Sequence, residues 1–224
     1  MGSQQTGLNP SNVNSALSTA KKQSDNVMDE LRTGFNNLLD NLAENWGTKD
    51  GKTWVEGECT TEINNMLTKV SDTLSKIASV INQVAVAQLG DTSNTQEINA
   101  AQATKTVKAQ TKNMKDHLGN GYVGIYEELK GDLQTKEGEL ITSFKEAMGK
   151  LQSQVIEKCD VAFNLVGASD KVSSECTMYI NKAMFVITSG LNSLNADITA
   201  EVSSADTYVR DIQNAGLRGA VGSN

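Results

Sequence analysis

Proline occurs once in this chain, at Pro10, so nothing downstream is interrupted by the residue most hostile to helix interiors. Aromatic residues amount to 4%, which favours slim helices over a thick globule. Histidine also occurs once, at His117, and every Ser-His-Asp, Cys-His or two-histidine metal arrangement is therefore incomplete. The three cysteines, Cys59, Cys159 and Cys176, lack C-x-x-C spacing, and the Glu-x-x-His motifs of a di-metal carboxylate bundle are absent. Acidic pairs such as Asp29-Glu30 and Glu127-Glu128 read as solvated helix faces. The expectation is a protein that is not an enzyme, with no cofactor and no metal.

Long apolar runs are missing too. No stretch reaches the ~18 residues that suggest a membrane span, and the N-terminus lacks the basic, apolar and small-residue regions of a signal peptide. The sequence thus predicts a soluble chain, secreted by a leaderless route or otherwise cytoplasmic. A net charge of -7 without a visible basic face argues against nucleic-acid binding, which needs cations to displace counterions.

What the chain does have is period. Leu17, Ala20, Val27, Leu31, Phe35, Leu38, Leu42 and Trp46 are spaced by three, four or seven and fall on one helix face. After a stretch with two glycines and an aspartate, Cys59, Ile63, Met66, Val70, Leu74 (or Thr73), Ile77, Ile81 and Val84 repeat the pattern. A turn between Trp46 and Trp54 makes the two helices antiparallel neighbours, each covering the apolar seam of the other.

The chain also contains its own second copy. Gly57-Glu58-Cys59-Thr60-Thr61-Glu62-Ile63-Asn64 is matched 117 residues later by Ser174-Glu175-Cys176-Thr177-Met178-Tyr179-Ile180-Asn181. The same offset carries Leu38 to Val155, Leu42 to Cys159, Trp46 to Phe163 and Val55 to Val172. A repeat of this kind marks a supersecondary unit, here the hairpin. The third helix is expected from about Tyr122 to Asn164, Gly167 breaks the pattern, and the fourth stripe runs from Val172 through Ile187 to Ile212, ending near Gly216. The predicted fold is all-α, two long antiparallel helical hairpins forming an elongated four-helix bundle. At ~1.5 Å per residue its helices would be roughly 50 to 65 Å long. The expected organisation is a flexible N-terminus (1–10), a first hairpin (11–89), a linker (90–121), a second hairpin (122–215) and a flexible tail (216–224).

Within the linker, Ile98, Ala101, Val107, Thr111, Met114 and Leu118 predict a weak amphipathic helix, with Lys105, Lys108, Lys112 and Lys115 on one face. That lysine stripe reads either as a solvated face or as a basic dock for an acidic partner or lipid headgroups. Trp46 and Trp54 flank the first turn and read either as a plug for the open end of the hairpin or as an exposed anchor for another protein. If the second turn centres on Gly167, Cys159 and Cys176 face each other across the seam. They are then a candidate disulfide or two reduced core thiols, while Cys59 has no cysteine opposite it and reads as a small buried apolar residue.

A helix, a turn carrying Trp46-Gly47 and a second helix resemble the WXG family of type VII secretion substrates, the ESAT-like helical hairpins of Gram-positive bacteria. The likeness covers residues 11–89 with the Leu38, Leu42 and Ile63 stripes, and reaches the second half through the internal repeat, where Phe163 stands at the Trp46 position and Gly167 at the turn. Tyr208-Val209-Arg210-Asp211 is one residue short of the family's export signal, a tyrosine followed four residues later by an acid. The family's dimer is two hairpins packed as four helices, so the resemblance implies that dimer made covalent. It implies a monomeric, non-enzymatic secreted protein or secretion partner acting through helical surfaces on export machinery, a co-secreted effector or a host protein. Two alternatives stand beside it: a membrane-active helical protein, suggested by Ile77–Ile81 and Ala183–Ile187, and a structural coiled-coil adaptor unrelated to secretion.

Overall fold

The computed structural model describes residues 7–46, 49–89, 98, 103–111 and 129–221, and every regular element among them is helical. Helix α1 spans Pro10–Asn45. Its start is set by Asn9, whose Oδ1 accepts the Ser11 N–H at 2.9 Å and whose carbonyl accepts from Asn12 and Val13. Asn9 is thus the cap, and Pro10 takes the first helical position, where a missing N–H costs nothing.

The first turn is shorter than its sequence suggests. Residues Lys49–Trp54 already form a helix, α2, and Gly51 is buried within it. A π-helical turn, Val55–Cys59, joins α2 to α3, Thr60–Leu89, and the Thr60 hydroxyl donates to the Val55 carbonyl at 2.6 Å. The wider turn admits one extra residue while keeping Val55 and Cys59 inside. Gly47 lies outside the described residues.

Helix α4 spans Leu129–Phe163; the expected start at Tyr122 falls outside the described residues. A 3₁₀ turn, Asn164–Val166, follows, and Gly167 adopts the left-handed conformation at φ 66°. The Ala168 N–H donates to the Phe163 carbonyl and the Gly167 N–H to the Asn164 carbonyl, the paired bonds of a Schellman motif. Buried Phe163 and buried Ala168 are its hydrophobic pair. Only glycine enters this conformation without steric cost, which is why the second turn falls there. Helix α5, Ser169–Val221, then runs past Gly216, where an end was expected. Its buried seam stops earlier, at Val202; Ala205 is half-buried and Ile212 exposed.

The chain divides into two compact units, each built from a portion of all four long helices. The first comprises residues Met1–Arg32, Met66–Val107 and Ile141–Thr188. Its interior holds Val27, Leu31, Val70, Leu74, Phe144, Val155, Ile180 and Ile187, with α1 tied to α4 by a Gln23 to Gln154 side-chain hydrogen bond of 2.8 Å. The second comprises Thr33–Asn65, Lys108–Leu140 and Ser189–Asn224. Here Phe35, Leu38, Leu42, Trp46, Ile63, Leu133, Leu194 and Ile198 are buried, and Asn195 of α5 donates to Glu137 of α4 at 3.1 Å.

In the second unit α1 and α4 approach closely at Gly34, where a Cβ would stand 2.8 Å from Leu140 Cγ. A leucine there has no room without displacing α4. Gly34→Leu is expected to lower stability by about 1 to 3 kcal/mol, the ordinary cost of overpacking, read as a shift of the urea midpoint. An unchanged midpoint would mean that the two helices are not held at this spacing.

The linker departs most from its sequence pattern. Residues 103–111 are not a helix; they run as extended chain, with Thr104, Val107 and Ala109 buried. In the first unit, the Thr104 N–H donates to Ser75 Oγ at 2.9 Å, the Lys105 N–H donates to Asp25 Oδ1 at 2.7 Å, and the Ser71 hydroxyl donates to the Thr104 carbonyl at 3.2 Å. In the second, the Ala109 N–H donates to Asn64 Oδ1 at 2.9 Å while Asn64 Nδ2 donates back to the Ala109 carbonyl at 3.3 Å, and the Gln110 N–H donates to Asn36 Oδ1 at 2.9 Å. Side chains of α1 and α3 therefore take over the hydrogen bonds that a helix would have made within itself.

Candidate interaction surface

The residues that the sequence singles out fall into three groups. Trp46 is 1% exposed, and its ring lies 5.9 Å from that of half-buried Trp54, tilted by 41°. Trp46 is enclosed and Trp54 half-buried; the repeat counterpart of Trp46, Phe163, is buried likewise. Of the lysines expected on one helical face, Lys105 forms an ion pair with Asp29 and Lys108 is exposed, while Lys112 and Lys115 lie outside the described residues. On extended chain the helical spacing of Lys105 and Lys108 no longer places these two on one face.

Cys159 and Cys176 do meet across the α4–α5 seam. Both are buried free thiols, joined by a hydrogen bond, and Cys59 is a third buried free thiol. That hydrogen bond, with burial, pushes the Cys159 thiol well above its ordinary range. Burial first, then the carboxylates Glu62 and Asp197, pushes Cys59 from 9.0 to about 12. The stability contributed by keeping Cys59 protonated is complete below pH 9 and is lost as pH climbs from 9 toward 12, because the unfolded thiol ionises first. Urea midpoints at about pH 8 and about pH 11 should fall less for Cys59→Ala than for the natural chain. An equal fall in both would show that another group carries the alkaline loss.

Helix α5 presents a face that the periodic stripe does not explain. Its seam residues Cys176, Ile180, Ala183 and Ile187 are buried. Phe185, by contrast, is 71% exposed, and Met178, two turns earlier on the same side, is 41% exposed. They line a shallow open groove with Ser174, Thr177, Asn181 and Lys182, and Thr73 of α3 closes one edge. Lys182 Nζ lies 5.0 Å from the centroid of the Tyr179 ring, a cation–π contact at the rim. An aromatic and a thioether thus stand in water beside polar side chains on this face. Large apolar residues out of phase with the buried stripe are the sequence signal for this face, and the apolar run Ala183–Ile187 hides it by placing Phe185 among seam residues.

Among the described residues no cluster of His, Cys, Asp or Glu is arranged to hold a metal ion, and no helix is long and apolar enough to cross a membrane. No protein-family model, curated protein or solved structure matches the chain.

Proposed function

We propose that this chain is a non-enzymatic binding protein that docks a partner protein on the α5 face around Phe185 and Met178. Its all-α hairpin architecture and tandem repeat fit a covalent pair of WXG-like hairpins, and the proposal extends to a secreted protein or secretion partner of a type VII system. The partner is then export machinery, a co-secreted effector or a host protein. The observation that carries the reading is the exposure of Phe185 beside Met178 on a helix whose other large apolar residues up to Val202 are mostly sheltered. Aromatic side chains are favoured as binding hot spots because they bury large area with few rotamers to freeze.

A photo-crosslinking residue placed at position 185, in a Gram-positive host with a type VII system, should give a single covalent adduct. The same residue at exposed position 208, on the same helix, should give none. Equal labelling at both positions would remove the docking face. Export is tested separately: the chain should reach the medium only while the membrane ATPase of the system is intact, and ATPase-independent release would sink that half of the reading.

A further inference from the structure

The first hairpin carries an extended segment across α1 and α3, and the repeat shows where its counterpart would lie. An offset of 117 residues takes Asn64 to Asn181, Ser71 to Thr188, Asp29 to Glu146 and Asn36 to Ser153. Each of these four positions keeps a polar side chain, with the Ser153 and Thr188 hydroxyls donating to carbonyls of their own helices. Asn64 is the most specific, since its amide holds both the N–H and the carbonyl of Ala109. Its counterpart Asn181 is exposed, its side-chain amide makes no hydrogen bond to the described residues, and it lies in the α5 groove between Met178 and Phe185.

The apolar floor tells the same story. Leu39 and Leu67 are fully buried in the hairpin that carries the extended segment. Their repeat counterparts Ile156 and Met184 are only half-buried. Glu146 stands where Asp29 receives the lysine of the segment, and it too is exposed.

We infer that the outer face of the second hairpin, from the α5 groove at Asn181 across to α4, is a binding surface for an extended peptide segment of a partner protein, held through its backbone by the Asn181 amide. The segment carries a lysine for Glu146 and small or β-branched residues toward Ile156 and Met184, the chemistry of residues 103–111 themselves. This rests on the α5 docking face proposed above and specifies what docks there and how. Recognition is by main-chain hydrogen bonds to side-chain amides, with an apolar contact from Phe185 at the edge, so any partner must offer unpaired backbone.

The probe is a fluorescein-labelled peptide with the sequence of residues 103–111, titrated into the full chain and followed by anisotropy. Saturable binding at one site is expected. Asn181→Ala should weaken it about tenfold, the loss of two hydrogen bonds to one peptide unit, and Glu146→Lys should weaken it as well. Asn64→Ala, which alters only the first hairpin, should leave it unchanged. Far-UV circular dichroism of the exposed-site variants checks that they remain folded. Absence of saturable binding at millimolar peptide, or binding indifferent to Asn181→Ala, would overturn the inference. So would loss of binding in Asn64→Ala alone, since the peptide would then be replacing the chain's own segment. A partner adduct at position 185 without peptide binding would leave the docking face standing and remove the extended-backbone mode.

Discussion

Trp46→Ala is expected to lower the unfolding free energy by about 3 to 5 kcal/mol, the range for truncating a large aromatic side chain in a packed core. The side chain is almost wholly enclosed, and its ring packs against Trp54 near the first turn. Truncation loses the transfer free energy of the indole and leaves a cavity that the surrounding packed side chains close only in part. Trp54→Ala should cost clearly less, because that residue is only half-buried. Chemical unfolding of the two variants checks both statements. Equal losses would mean that the pair acts as one exposed cluster rather than as a plug with a lid.

Ile187→Ala and Leu74→Ala are each expected to cost about 2 to 5 kcal/mol for the same reason, as both are buried seam residues of the first unit. Phe185→Ala, two positions from Ile187 on the same helix, should stay within about 0.5 kcal/mol, since an exposed side chain surrenders little water-free contact on truncation. Denaturant midpoints of the three variants separate the seam of α5 from its outer face. A loss below about 0.5 kcal/mol for Ile187→Ala would remove it from the core.

The contrast between Ile187 and Phe185 shows how far a sequence can be read. Cys176, Ile180, Ala183 and Ile187 announce the seam because an α-helix brings every third or fourth residue to one side, and nothing outside the helix is needed to see it. Phe185 is equally apolar, and only its phase against that stripe sets it apart. The thiols follow the same logic: Cys159 and Cys176 flank Gly167 almost symmetrically, so their meeting is a matter of counting. That they rest as hydrogen-bonded free thiols is a matter of local packing.

Residues 103–111 lie beyond such counting. Val107, Thr111 and Met114 are spaced as for a weak helix, and a short amphipathic helix is marginal unless something packs on it. Here Asp25, Asn36, Asn64 and Ser75, all distant in sequence, offer side-chain oxygens to its backbone N–H groups, and the extended form wins because those bonds replace the helical ones.

By itself, then, the sequence determined the four long helices, their seams, the turn at Gly167 and the repeat that pairs the hairpins, because each is fixed by local spacing or by glycine. The extended course of residues 103–111 and the resting of Cys159 and Cys176 as hydrogen-bonded free thiols were decided only by the tertiary structure. Both depend on which side chains other helices bring alongside, and no periodicity within a single segment records that.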